Sequence, residues 1–259
     1  MIAAVIPAVP GLFGLLVCAA LWEAVPRLGL VDPDFLPPFT TTLNALRGEL
    51  ADAAFWTALG DTLTGWALGL ALATAGGVLA GLVIATVPHL RELTASTVEF
   101  LRPIPSVALI PLAILLFGTE LRSVLLLVVY AAFWQVLVQV LYGVQDVDPV
   151  ADDTARAFGL GPWARVRHVV WPTALPYVMT GVRLAAAVAL ILAITVELVI
   201  GAPGLGHRIN VAQSSQAVPD MYALILVAGC LGVLINTGAR FVERRALSWH
   251  QSVRAEDPA

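Results

Sequence analysis

Six apolar stretches leave this chain few ways to fold. They cover residues 3–22, 57–87, 98–117, 123–142, 177–200 and 222–241. A hydrocarbon core of about 30 Å is crossed by about 20 residues of helix, so each stretch is long enough to span. None alternates polar and apolar residues as a barrel strand does, and the helix is the other structure that satisfies its own backbone in lipid. The chain is 59% hydrophobic and 12% charged, against about 25% charged in soluble domains. The expected fold is an all-α polytopic membrane bundle of about six transmembrane helices. No room is left for a separate soluble catalytic domain.

The first stretch has no positively charged lead-in and is expected to be a span rather than a signal peptide. Between it and the second lies a turn-rich connection carrying Asp32-Pro33 and Pro37-Pro38, with a short helix expected near residues 43–50. The chain is read as one transmembrane domain over 1–259. Its N-terminal span and external connection occupy 1–56, its core 57–245, and a polar segment 148–172 interrupts that core. Arginine distribution sets the orientation. With both termini cytoplasmic, ten of the 14 basic residues fall on the inner side, and four (Arg27, Arg47, Arg122 and Arg208) on the outer. This places the polar segment in the cytoplasm.

That segment is an arginine-rich island between two apolar runs. Pro149 is placed to open a helix, and Asp152 and Asp153 lie near its start, where negative charge complements the helix dipole. Ala155 and Gly159 are four residues apart and would share a helix face with little side chain on it, a surface that another protein can approach closely. Arg165, Arg167 and His168 follow, set to meet lipid headgroups or an acidic partner.

From Asp153 to Pro172 the chain reads D-T-A-x3-G-x9-V-x-W-P. This resembles the E-A-A-x3-G-x9-I-x-L-P pattern of permease subunits of ATP-binding-cassette importers, with Asp for Glu, Thr for the first Ala and Trp for Leu. The flanking text is similar to the nitrate, sulfonate and taurine branch of that family. It includes Arg102-Pro103-Ile104-Pro105, Ile110-Pro111-Leu112, Pro172-Thr173-Ala174-Leu175-Pro176, Gly181-Val182-Arg183-Leu184 and Gly204-Leu205-Gly206. Order and spacing agree from about Thr57 to Trp249.

The resemblance implies a type I importer permease fold with a cytoplasmic coupling helix. The ATPase-coupling residues would be Asp153, Thr154, Ala155, Arg156, Gly159 and Pro172. It also implies two ATPase subunits as partners, a second permease copy in a homodimer, an external solute-binding protein and an inner-membrane location. ATP and Mg would be bound by the ATPase, with no cofactor in this chain. The solute would be a small, anionic one such as a sulfonate, taurine, nitrate or bicarbonate. Aromatic acids and pyrimidine vitamin precursors are alternatives within the same family.

Polar residues inside spans are functional candidates, because each costs free energy in lipid unless paired or solvated. Trp134, Gln135 and Gln139 give the fourth span a polar face, either a wall of the translocation pathway or, more commonly, inter-helical hydrogen bonding. Glu197 closes the fifth span. As a bare carboxylate at a helix end it reads as solvated, whereas the resemblance puts it near an external gate. Arg102 and Arg183 are read as snorkelling residues, and His207 and Arg208 as exposed residues of an external loop. Pro103, Pro105 and Pro111 bend or interrupt the third span.

Several functions are disfavoured. Net charge is −4, which argues against a nucleic-acid partner. Cys18 and Cys230 sit in apolar runs and read as packing residues. No metal-ligand spacing, no nucleophile beside a base and no phosphate-cradling loop is present. The competing class is an ATP-independent secondary carrier or channel. It suffers from a shortage of mid-membrane carboxylates, since Asp61 and Glu197 both fall near span ends.

Overall fold

The computed structural model describes residues 8–249, and these contain helices and turns but no strand. Eleven α-helices follow in order: α1 (Ala8–Arg27), α2 (Phe39–Ala51), α3 (Ala53–Thr86), α4 (Pro88–Leu101), α5 (Ile110–Phe117), α6 (Leu121–Gln145), α7 (Pro149–Ala157), α8 (Pro162–Arg165), α9 (Trp171–Ile200), α10 (Leu205–Ser214) and α11 (Val218–Ala246). A 3-10 turn, Ser106–Leu109, precedes α5, and a π-helical turn, Val166–Val170, joins α8 to α9.

The span count differs from the six expected. Among the described residues four stretches are long and apolar enough to cross a membrane: α3, α6, Pro162–Ile200 and α11. A fifth is formed if the bent pair His89–Leu101 and Ser106–Phe117 counts as one span. Its halves meet at 81°. Pro103 and Pro105 lack the N–H groups a continuous helix needs, and the freed Leu101 carbonyl accepts from Ile104 N and, at 2.7 Å, from the Tyr130 hydroxyl. The expected first span begins outside the described residues, and its described part is α1. That helix is fastened at its C-terminal end, where Trp22 Nε1 donates to Pro37 O at 3.0 Å and Glu23 accepts from Thr40. The short helix expected in the connection is α2.

The core forms around α6, which packs along α3 on one side and α9 on the other. On α3 the buried positions Gly65, Gly69, Ala73, Gly77 and Gly81 recur every four residues. On α6 Val124, Val128, Val136 and Val140 face the four glycines in the same order, so the two helices run parallel. A Cβ added at Gly77 would lie 2.8 Å from Val136 Cβ, and one at Gly81 2.6 Å from Val140 Cγ1. Such small-residue ladders let helix backbones approach where water supplies no hydrophobic drive. The antiparallel α6–α9 contact uses the same device, with Gly143 against Ala174 and Tyr177, and Gly181 against Val136 and Gln139.

Three side-chain expectations need correction. Arg183 is paired, its Nη1 donating to Glu243 Oε2 of α11 at 3.0 Å. The partner lies 60 residues away, just past the C-terminal apolar run, and sequence distance hides it. Cys18 and Cys230 are exposed free thiols on outward helix faces, not core packing residues. Arg208 is not loose on an external loop: its Nη2 meets Glu49 Oε2 at 2.7 Å and Asp52 Oδ2 at 2.9 Å, tying α10 to the α2–α3 corner. Its neighbour His207 is exposed as expected.

Candidate functional site

The polar segment folds as anticipated at its start. Asp148 is the N-cap of α7, its Oδ1 accepting from Val150 N at 2.8 Å, and Pro149 takes the first helical turn. Its end differs from the expectation. Ala155 and Gly159 do not share a helix face, because α7 stops at Ala157. Gly159 adopts φ +77°, its N–H reaches Arg156 O, and Leu160 N reaches Ala155 O. This is a Schellman ending, which requires a left-handed residue at that position. Ala155 is buried beneath the helix, whereas Asp153, Thr154, Arg156 and Gly159 are exposed. Pro172 lies in the first turn of α9.

Asp152 and Arg165 dominate the geometry. Arg165 grips Asp152 with a fork, Nε to Oδ1 at 2.8 Å and Nη2 to Oδ2 at 2.9 Å. Arg156 Nη2 adds a third contact at 2.7 Å. The Arg165 fork, with help from Arg156, holds the Asp152 carboxyl below its ordinary range. Arg165 therefore does not wait for lipid or an acidic partner. Sequence spacing hides the contact, since 13 residues and a turn separate the two. Around them Val150, Phe158 and Trp163 stand 70%, 81% and 78% exposed, a concentration of large apolar side chains on an otherwise polar segment.

The pathway candidates on α6 are less tied than expected. Trp134 is buried with its Nε1 unpartnered among the described residues, and it contacts Tyr130 and Phe133 edge-on. Gln135 and Gln139 are half-buried beside Gly181 of α9, and neither amide hydrogen-bonds the described residues. Among the described residues neither glutamine makes an inter-helical hydrogen bond, the commoner use of such residues.

Glu197 is the largest departure from the sequence reading. It is 1% exposed rather than solvated. Its Oε2 accepts from the Thr62 hydroxyl at 2.8 Å and from Gly206 N at 3.0 Å, and the Thr62 oxygen accepts from Leu205 N at 2.8 Å. Leu205 and Gly206 open α10, whose preceding residue, Gly204, has no side chain to cap it. Thr62 and Glu197 thus supply that cap from α3 and α9. The glycines make the approach possible: a Cβ at Gly204 would collide with the Glu197 carboxylate, and one at Gly206 with the Ile194 carbonyl. Gly204 also holds φ +151°. The Gly-x-Gly spacing was legible, but the partner Thr62, 135 positions away, was not.

The cluster lies at the far end of α9 from α7 and α8. A cavity of about 280 Å³ opens beside it, lined by Asp61, Thr64, Glu120 and Glu197 among others. Among the described residues no group of His, Cys, Asp and Glu is arranged to hold a metal ion.

A helical bundle with four to five stretches apolar enough to cross a membrane, and a polar helix between two of them, has the build of a multi-pass membrane protein. Residues 73–247 match the binding-protein-dependent transport system inner membrane component family, and the chain belongs to it. It is a multi-pass inner-membrane protein and the permease component of an ATP-binding-cassette importer, a class that works with ATPase and binding-protein partners. It is 31% identical over 246 residues to the taurine transport system permease protein of Escherichia coli (strain K12), covering 93% of this chain and 89% of the relative. The bicarbonate transport system permease protein of a Synechocystis strain is 26% identical, over 91% and 87% of the two chains. Among solved structures, an inward-facing methionine ABC transporter matches with a TM-score of 0.64 at 19% identity, over 74% of this chain and 95% of that one. A bacterial ABC transporter involved in the import of the acidic polysaccharide alginate gives 0.63 at 17%, over 90% and 95%. At such identities these two speak for the fold alone.

Proposed function

We propose that this chain forms one half of a homodimeric translocation unit, docks one of two ATPase subunits through α7, and passes a small anion delivered by an external binding protein. It performs no catalysis of its own. ATP and Mg belong to the ATPase, and the chain termini and α7 face the cytoplasm. The observation that carries this reading is the surface of the coupling segment. Val150, Phe158 and Trp163 stand in the open around a helix whose outward residues are Asp153, Thr154 and Arg156. Large exposed apolar side chains rimmed by charge mark a protein interface. Arginine bias supports the orientation, and taurine and bicarbonate in the names of relatives support a small anionic solute, with nitrate and other sulfonates in the same class.

The test is capture of the cognate ATPase by the detergent-solubilised permease, compared between the wild type and Gly159→Arg. Loss of capture with the bundle still folded supports docking through α7; equal capture and equal transport would remove it. Uptake of radiolabelled taurine by liposomes holding permease, ATPase and binding protein, with and without ATP, separates the importer from an ion-driven carrier.

A further inference from the structure

The coupling helix has two routes by which to move α9, and they differ in stiffness. The covalent route runs through Gly159-Leu160-Gly161, where a Cβ at either glycine would meet nothing within 4 Å. Chain of this kind, in open space and with little side chain, bends easily. The second route is the Arg165 fork on Asp152, closed at 2.8 and 2.9 Å, with the two side chains only 25% and 18% exposed. A bidentate guanidinium–carboxylate pair fixes direction as well as distance, so it resists both push and pull.

Side-chain packing on the bundle-facing side of α7 rests on one buried residue, Ala155. A cavity of about 410 Å³ lies there, lined by Thr86 of α3, Val144 of α6, Asp152 and Arg156 of α7, and Val166 and Val170 of the π-helical turn. An empty space transmits no load. Beyond Arg165 the helical path continues without a break through the π turn into α9, which carries Glu197 and the α10 cap at its other end. Rigid elements with few joints carry coupling between distant sites.

We infer that the Asp152–Arg165 ion pair is the strut through which displacement of α7 reaches α9, and that both are positioning residues for transport. The inference rests on the reading of α7 as the ATPase dock. In this role neither residue has to touch solute or nucleotide. Their task is to make the dock and the base of α9 move as one body, while the glycine linker keeps the chain continuous.

The experiment uses the full chain with its ATPase and binding protein in liposomes, and taurine as the probe solute. Arg165→Lys keeps the charge and loses the fork, Asp152→Asn keeps a hydrogen-bonding side chain and loses the charge, and Asp152→Arg/Arg165→Asp reverses the pair. ATPase capture and the solute concentration at half-maximal uptake are expected to stay at wild-type values in the single variants. Solute moved per ATP hydrolysed is expected to fall roughly threefold to thirtyfold, and the reversed pair to recover part of it despite placing like charge beside Arg156. An unchanged ratio in both single variants overturns the strut. So does a loss matched by an equal loss of captured ATPase, which would make the pair a folding contact. Failure of the wild type to capture ATPase or to need ATP is read separately, and removes the proposed function itself.

Discussion

The Thr62 hydroxyl donates to Glu197 Oε2 at 2.8 Å, joining α3 to α9 at the end of the bundle away from α7, and the same two side chains cap α10. Three helices therefore depend on one carboxylate. Glu197→Ala leaves the Gly206 N–H and the Thr62 hydroxyl without an acceptor, at a cost of about 1–3 kcal/mol. Glu197→Gln keeps an acceptor and is expected to lose less. Thermal unfolding of the purified protein in detergent, followed by circular dichroism, ranks the two, and equal melting points would show that the cap contributes nothing.

Glycines in the structure are not equivalent. Gly206→Ala would drive a methyl into the Ile194 carbonyl and the Glu197 Cβ, whereas Gly229→Ala on α11 meets nothing within 4 Å. The first is expected to destabilise by about 1–3 kcal/mol. The second is expected to be neutral or to gain up to about 1 kcal/mol of helix propensity. Yield of monodisperse protein and melting temperature distinguish them.

A substitution on the α3 ladder gives a stronger effect. Gly77→Leu has no space opposite Val136 and should abolish folded protein, while the matched Gly60→Leu lies where nothing stands within 4 Å. Detergent size-exclusion profiles read the outcome. A folded Gly77→Leu would contradict the close approach of α3 and α6.

At the end of α7 Gly159→Ala must hold φ near +77° with a side chain, costing roughly 1–2 kcal/mol. Gly159→Asn should be tolerated better, because Asn visits that region. Protease sensitivity of the segment, with ATPase capture alongside, reports whether α7 frays.

The folded Asp152 carboxyl is held below its ordinary value of 3.8. Its ion pair therefore contributes fully above that value and is lost as pH falls through the lower folded one. Between about pH 5 and 8 the carboxylate is charged in folded and unfolded chains alike. Susceptibility of the segment to protease is expected to be flat over that range and to rise only in stronger acid. A rise already at pH 6 would mean that another group controls the segment.

The sequence was most informative where its signals are local. Apolar runs located α3, α6, α9 and α11, and Pro149 fixed the start of α7. The four-residue ladder from Gly65 to Gly81 was equally local and would have revealed the α3–α6 contact had small residues been tracked at that spacing. Pro103 and Pro105 announced an interruption without its 81° angle, because a proline removes a donor but packing decides the turn. What stayed hidden were long-range pairings. Thr62 with Glu197, Arg208 with Glu49, and Asp152 with Arg165 join polar residues whose partners depend on how helices stack, and a lone sequence reading assigns such residues to water by default.

The parallel seam of valines seated in glycine notches also determines what cannot move. Two rods meshed at every turn resist sliding and tilting against each other, so α3 and α6 travel as a single plank. Whatever opens a path for solute must do so at the plank's edges, where the angled pair α4 and α5 begins.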